Sequence, residues 1–135
     1  MIFGHLVRSR DAWGDGHFGA SRDGGGRKHE GIDLAVWPGT PIFTPTGCKV
    51  VRRAMPYADD TRFEGVLLRI AEGVELKMLY VLPDPGVIGL DVAAGTLIGR
   101  AQDLREKYVG ITPHVHVELW VGGVRVNPAQ FLGVS

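Results

Sequence analysis

The chain has 135 residues, with 15 Lys and Arg balanced by 15 Asp and Glu, and a single cysteine. That length suits one domain, residues 1–135, with an ordinary hydrophobic core. Zero net charge gives no clustered positive surface for nucleic acid, one cysteine excludes an internal disulfide or a cysteine-rich metal site, and no apolar run is long enough for membrane insertion.

Taken in chain order, residues 1–8 lack the apolar stretch of a secretory signal. This leaves a mature form, a protein that stays inside, or one released by another route such as lysis or packing into a particle. Residues 15–28 are rich in glycine with Asp, Ser and Arg, and read as a loop running straight into His29. Short apolar or alternating runs follow, separated by Gly and Pro. They predict strands at 41–43, 48–54, 64–71, 74–82, 96–100 and 114–121. Glu72-Gly73 joins two of them as a hairpin. Cys48 falls within a strand and reads as a packing residue. Residues 102–108 are the best helical candidate. The pattern is that of an all-β, mainly antiparallel domain.

Two histidine patterns stand out. His29 precedes Asp33 by four residues, and His114 precedes His116 by two. Both spacings put the ligands on one face of an extended chain, because side chains alternate across a strand. His114 and His116 then share one face, while Val115, Val117, Leu119 and Val121 form an apolar face for the core. His29, Asp33 and His116 are the best zinc set, since two neutral imidazoles and a carboxylate suit that ion. Three protein ligands leave one position for water, and zinc would lower the pKa of that water to roughly 7. His114 is then placed to act as general base, and Glu118, on the same face, to partner a histidine nitrogen. His17 could line the cleft from the glycine-rich segment; His5 and His17 otherwise read as exposed loop histidines.

These residues resemble the lysostaphin/LytM-type zinc endopeptidases, which cut peptide cross-links of bacterial peptidoglycan. The resemblance covers about residues 18–132. It rests on Phe18-Gly19-x-x-Arg22, His29-x-Gly31-Ile32-Asp33-Leu34, Gly39-Thr40-Pro41-Ile42-Phe43-x-Pro45-x-Gly47, Ala94-Gly95-Thr96-x-Ile98-Gly99, Pro113-His114-Val115-His116-Val117-Glu118-Leu119 and Asn127-Pro128-x-x-Phe131-Leu132. It implies a LytM-type β-sheet core with long loops around a zinc cleft. It also implies His29, Asp33 and His116 as ligands and His114 as a catalytic histidine. Glu118, Tyr80, His17 and Arg22 are candidates either to contact substrate or to support the ligands.

One departure matters. The family usually carries a further catalytic histidine two residues after a Tyr; here Tyr80 is followed two residues later by Leu82. In lacking it, the chain is similar to leukocyte cell-derived chemotaxin, a zinc-binding signalling relative, although it has no cysteine pairs to match that protein's disulfides. Two functions follow as expectations. One is a zinc endopeptidase acting on peptidoglycan peptides, as a cell-wall lytic component or in a phage particle or tail. The other is a non-catalytic zinc-binding domain that binds a cell-wall or protein ligand, or serves a larger assembly of subunits.

Overall fold

The computed structural model describes residues 31–132 throughout, and before them Gly16, Phe18, Gly19 and two short strands. Those strands, β1 (Ser21–Arg22) and β2 (Arg27–Lys28), pair antiparallel. The segment expected as plain loop therefore contains a small ribbon. Ten strands follow: β3 (Ile32–Ala35), β4 (Pro41–Phe43), β5 (Cys48–Ala54), β6 (Gly65–Ala71), β7 (Val74–Leu79), β8 (Val81–Pro83), β9 (Asp91–Val92), β10 (Leu97–Ala101), β11 (His114–Val121) and β12 (Val124–Val126). Helix is confined, among the described residues, to a 3-10 turn at Pro85–Val87 and the four-residue α1 (Ala129–Leu132).

The main sheet runs β12-β11-β7-β6-β5-β9, with β3 also on β11. A second sheet has the order β4-β10-β8. All pairings are antiparallel. The long strand β11 organises the main sheet. Its residues from Val121 back to His116 pair with β7 on one side. On the other side its first half pairs with β3 and its second half with β12.

Alternation along β11 works as the sequence suggests. Val115, Val117 and Leu119 are buried in the main core with Ile32, Leu34, Val50, Leu68, Leu76 and Met78. Each such side chain contributes about 1.5–3 kcal/mol by leaving water. Val121, at the strand end, is exposed. Cys48 is buried in the same core, and burial pushes its thiol pKa up. A smaller apolar cluster of Phe63, Leu104 and Ile111 packs against Tyr57, Tyr80 and Tyr108.

Two expectations are corrected. Residues 102–108 form turns, not a helix. Asp103 accepts from Arg105 N, and Lys107 N and Tyr108 N both donate to the Leu104 carbonyl. Gly110, at φ +81°, then redirects the chain, so a single turn is all that forms. The predicted strand 74–82 is broken at Tyr80, which lies in the left-handed region at φ 68°. That conformation costs a non-glycine residue roughly 1 kcal/mol or more. Three hydrogen bonds hold it: Tyr80 N and Val81 N both donate to the Glu64 carbonyl, and Gln102 N donates to the Tyr80 carbonyl. Beyond the break, the chain leaves β11 and joins β10 as β8.

Candidate metal centre

The centre is built by strand register. β3 lies against β11 with Asp33 opposite His116, so both side chains emerge on one face as neighbours. His116 Nδ1 lies 2.8 Å from Asp33 Oδ1. His114, two residues earlier on that face, brings Nε2 to 3.5 Å from Asp33 Oδ2. Asp33 and His114 are almost wholly buried, at 3% and 4% exposure. The backbone N–H of Asp33 donates to the Gly16 carbonyl at 2.8 Å.

Each imidazole is oriented from behind. His114 Nδ1–H donates to the Thr112 carbonyl at 2.8 Å, which leaves Nε2 as the acceptor. His116 Nε2–H donates to Glu118 Oε2 at 2.9 Å. Glu118 is held in turn by Trp120 Nε1, 3.3 Å from its other oxygen, and by Arg125 at 4.0 Å. With Nε2 committed to Glu118, Nδ1 is the nitrogen that turns towards Asp33. Burial alone disfavours a charged His116 ring, but the hydrogen bonds and charges of Asp33 and Glu118 outweigh it and raise its pKa to about 9. The Glu118 carboxyl, although burial opposes its charge, is lowered by the hydrogen bond and charge of His116.

Gly31 completes the packing. A Cβ there would meet the Val117 carbonyl at 2.3 Å and His116 Cε1 and Nε2 at 2.9 and 3.0 Å. Only a residue without a side chain lets the His116 ring lie this close to the incoming backbone.

Asp33, His114, His116 and Glu118 are thus brought together. The third expected ligand, His29, lies outside the described residues, as does His17. Arg22 is described only as part of β1. Among the described residues, no group of three or more His, Cys, Asp and Glu side chains is arranged to hold a metal. The two expected donors that are described, the Nδ1 of His116 and the carboxylate of Asp33, are the nitrogen and oxygen types zinc accepts, and they lie 2.8 Å apart.

Tyr80 joins the site in a way its sequence position does not reveal. Its ring stands edge-on to His114, with centroids 5.5 Å apart and planes at 89°. Leu82 stands two residues after Tyr80, where the family usually carries its further histidine. It is half exposed and lines a groove of about 370 Å³ with Arg62, Phe63, Arg100 and Gln102, which contains none of the candidate ligands. The left-handed turn at Tyr80 breaks the two-residue period, so the side chain against His114 is a phenol.

This β-sheet domain, with His114, Asp33 and His116 together on adjoining strands, belongs to peptidase family M23, whose profile matches residues 27–128. Leukocyte cell-derived chemotaxin-2 from Mus musculus is 30% identical over 112 residues, 83% of this chain and 72% of that protein. Among solved structures, the catalytic domain of the prophage-encoded M23 protein EnpA from Enterococcus faecalis, in mutant form, is 26% identical. That match covers 76% of this chain and 78% of that one, with a TM-score of 0.58. The catalytic domain of lysostaphin from Staphylococcus simulans matches over 87% of this chain and 89% of its own, with a TM-score of 0.63. At 22% identity that likeness establishes the fold alone. The lysostaphin/LytM-type resemblance and the β-rich fold read from the sequence both stand on these matches.

Proposed function

We propose that the domain is a zinc-dependent endopeptidase acting on peptide cross-links of bacterial peptidoglycan, as a cell-wall lytic component or part of a phage particle. The observation that carries this reading is the register that sets Asp33 opposite His116, with His114 on the same face. Membership of a peptidase family and the likeness to a prophage-encoded catalytic domain support it.

His29, Asp33 and His116 would hold the zinc, with one position left for water. When bound, zinc supplies a Lewis acid that acidifies that water to near neutrality. The chain's own residues do the rest. His114, its Nδ1–H anchored on Thr112, offers Nε2 to take the proton of the attacking water and pass it to the leaving amine. Glu118 keeps the proton of His116 on Nε2, so Nδ1 is the ligating nitrogen. The buried setting of Asp33 and His114 excludes bulk water and strengthens each of these contacts.

The test is release of soluble fragments from purified peptidoglycan. Zinc-loaded protein should release them, a chelator should stop release, and added zinc should restore it. His114→Ala should lower the rate by about 100-fold or more, the usual contribution of a general base, while retaining zinc. No release by zinc-loaded wild type from any cell wall would overturn the endopeptidase reading.

Two observations favour the second reading, a non-catalytic zinc-bearing domain that binds a cell-wall or protein ligand or a neighbouring subunit. A phenol, not an imidazole, stands against His114, and the chemotaxin likeness spans 83% of the chain. Under that reading the same protein binds peptidoglycan fragments or a partner without cutting them.

A further inference from the structure

Trp37 is the most exposed aromatic ring among the described residues, at 73%. An aromatic ring left in water forgoes the burial that ordinarily holds such residues in cores and interfaces. Trp120, by contrast, is covered: Arg125 and Lys77 lie 4.8 and 5.9 Å from its ring centroid. Among the described residues no ring or cation stands over Trp37.

The backbone beneath Trp37 is fixed. Trp37, Pro38, Gly39 and Thr40 form a tight turn, closed by Thr40 N donating to the Trp37 carbonyl at 3.1 Å. Pro38 presets the first central position, and Gly39, at φ +83°, supplies the left-handed second one. β10 clamps this turn. Gly39 N donates to the Ala101 carbonyl, Ala101 N to the Thr40 carbonyl, and the Arg100 guanidinium to the Gly39 carbonyl. On the other side Val36 N donates to the Pro113 carbonyl, just ahead of His114. A rigid, exposed tryptophan is preorganised for contact, because little freedom is lost when a ligand covers it.

Its position relates it to the metal centre. Leu34 and Val36 are buried in the core, so Asp33, Ala35 and Trp37 alternate onto the opposite face. On that face Ala35 stands opposite His114 and Asp33 opposite His116. Trp37 lies about 13 Å along the extended chain from Asp33. In peptidoglycan a stem peptide joins each cross-link to a sugar of the glycan strand, and about four extended residues span the same distance. A ligand with its cross-link at the Asp33–His116 pair therefore places that sugar within reach of Trp37. A pyranose ring has a flat C–H face and a rim of hydroxyls that stays in water, which suits an aromatic ring open to solvent. A stem peptide of small and charged residues offers no such face.

We infer that Trp37 is a sugar-stacking platform, a binding site for the N-acetylated pyranose that carries the stem peptide. The inference rests on peptidoglycan as the ligand, whether the domain cuts it or only binds it. Zinc-loaded wild type, Trp37→Ala and Trp37→Phe are titrated by calorimetry with a peptidoglycan disaccharide-tetrapeptide, and with the same tetrapeptide freed of its sugars. Trp37→Ala should bind the sugar-bearing ligand about tenfold more weakly, Trp37→Phe should retain part of the affinity, and all three should bind the sugar-free peptide alike. Zinc content and the urea midpoint should not change. In turnover of cross-linked fragments, Trp37→Ala should raise KM about tenfold at constant kcat when the sugars are present, and not when they are removed. Wild-type affinity of Trp37→Ala for the sugar-bearing ligand would overturn the inference and leave the endopeptidase reading intact. Equal weakening for both ligands would also overturn it, making Trp37 a peptide contact. If wild type cuts no peptidoglycan, the endopeptidase reading fails and calorimetry alone decides. No measurable binding of the sugar-bearing ligand by wild type overturns the platform.

Discussion

His116 lies between two carboxylates, and this sets how the centre answers to pH. In the metal-free protein its pKa is raised to about 9, so at neutral pH the ring is charged, with both nitrogens donating. Ligation requires Nδ1 to give up its proton. Zinc uptake at pH 7 should therefore release about one proton per chain from His116, seen as a buffer-dependent enthalpy in calorimetry. Affinity should fall about tenfold per pH unit as pH drops below about 9; uptake without proton release would place the ligating nitrogen elsewhere. Gly31 acts on the same residue by its absence of side chain. Gly31→Ala puts a Cβ 2.3 Å from the Val117 carbonyl and within 3.0 Å of the His116 ring, so the ring or the strand must shift. Zinc affinity should weaken by about tenfold, the scale on which disturbed support of a ligand is felt. Unchanged affinity would show that β3 can move without disturbing His116.

At the scale of the element, alternation was readable and its interruption was not. The pattern His-Val-His-Val-Glu-Leu places the polar residues and the core residues on opposite faces of β11, because period two is a local property. The boundaries of β4 and β5 follow from the same signal. Tyr80 gives no such warning: a tyrosine at φ 68° is favoured by contacts to Glu64 and Gln102, far off in sequence. The helix expected at 102–108 fails for a related reason, since Asp103 and Gly110 turn the chain after one turn. The difference has a consequence at position 82. Leu82→His would place an imidazole in the groove beside Arg62 and Arg100, and peptidoglycan cleavage should stay at the wild-type rate. A clear gain would mean that position 82 does reach the metal. Packing of β6 on β7 is equally sensitive. A Cβ on Gly65 would lie 2.2 Å from the Met78 carbonyl, so Gly65→Ala should destabilise the protein by about 1–3 kcal/mol in urea unfolding. A smaller change would show that the two strands separate easily.

Across the whole molecule, one core supports the sheet and a smaller one supports the tyrosines beside His114. Asp33, His114 and His116, which the structure brings together, lie in two short motifs legible in the sequence; Tyr57 and Tyr108 carry no local motif and meet only through tertiary contact. Without metal, the buried charge set also shapes global stability. His116, raised above its unfolded value of 6.5, stabilises the fold fully below that pH, and the effect is lost as pH rises through about 9. Glu118, lowered, stabilises above its unfolded value, and the effect is lost as pH falls through its folded one. Metal-free protein should therefore melt at a lower temperature at pH 9.5 than at pH 6. A flat profile over that span would contradict the His116 environment.

Elemental analysis of zinc in the purified protein tests the centre most directly. Wild type and His114→Ala should each hold one zinc per chain, while Asp33→Ala and His116→Ala should hold almost none. Full occupancy in Asp33→Ala, or loss of zinc in His114→Ala as complete as in His116→Ala, would contradict the assignment of ligands and base.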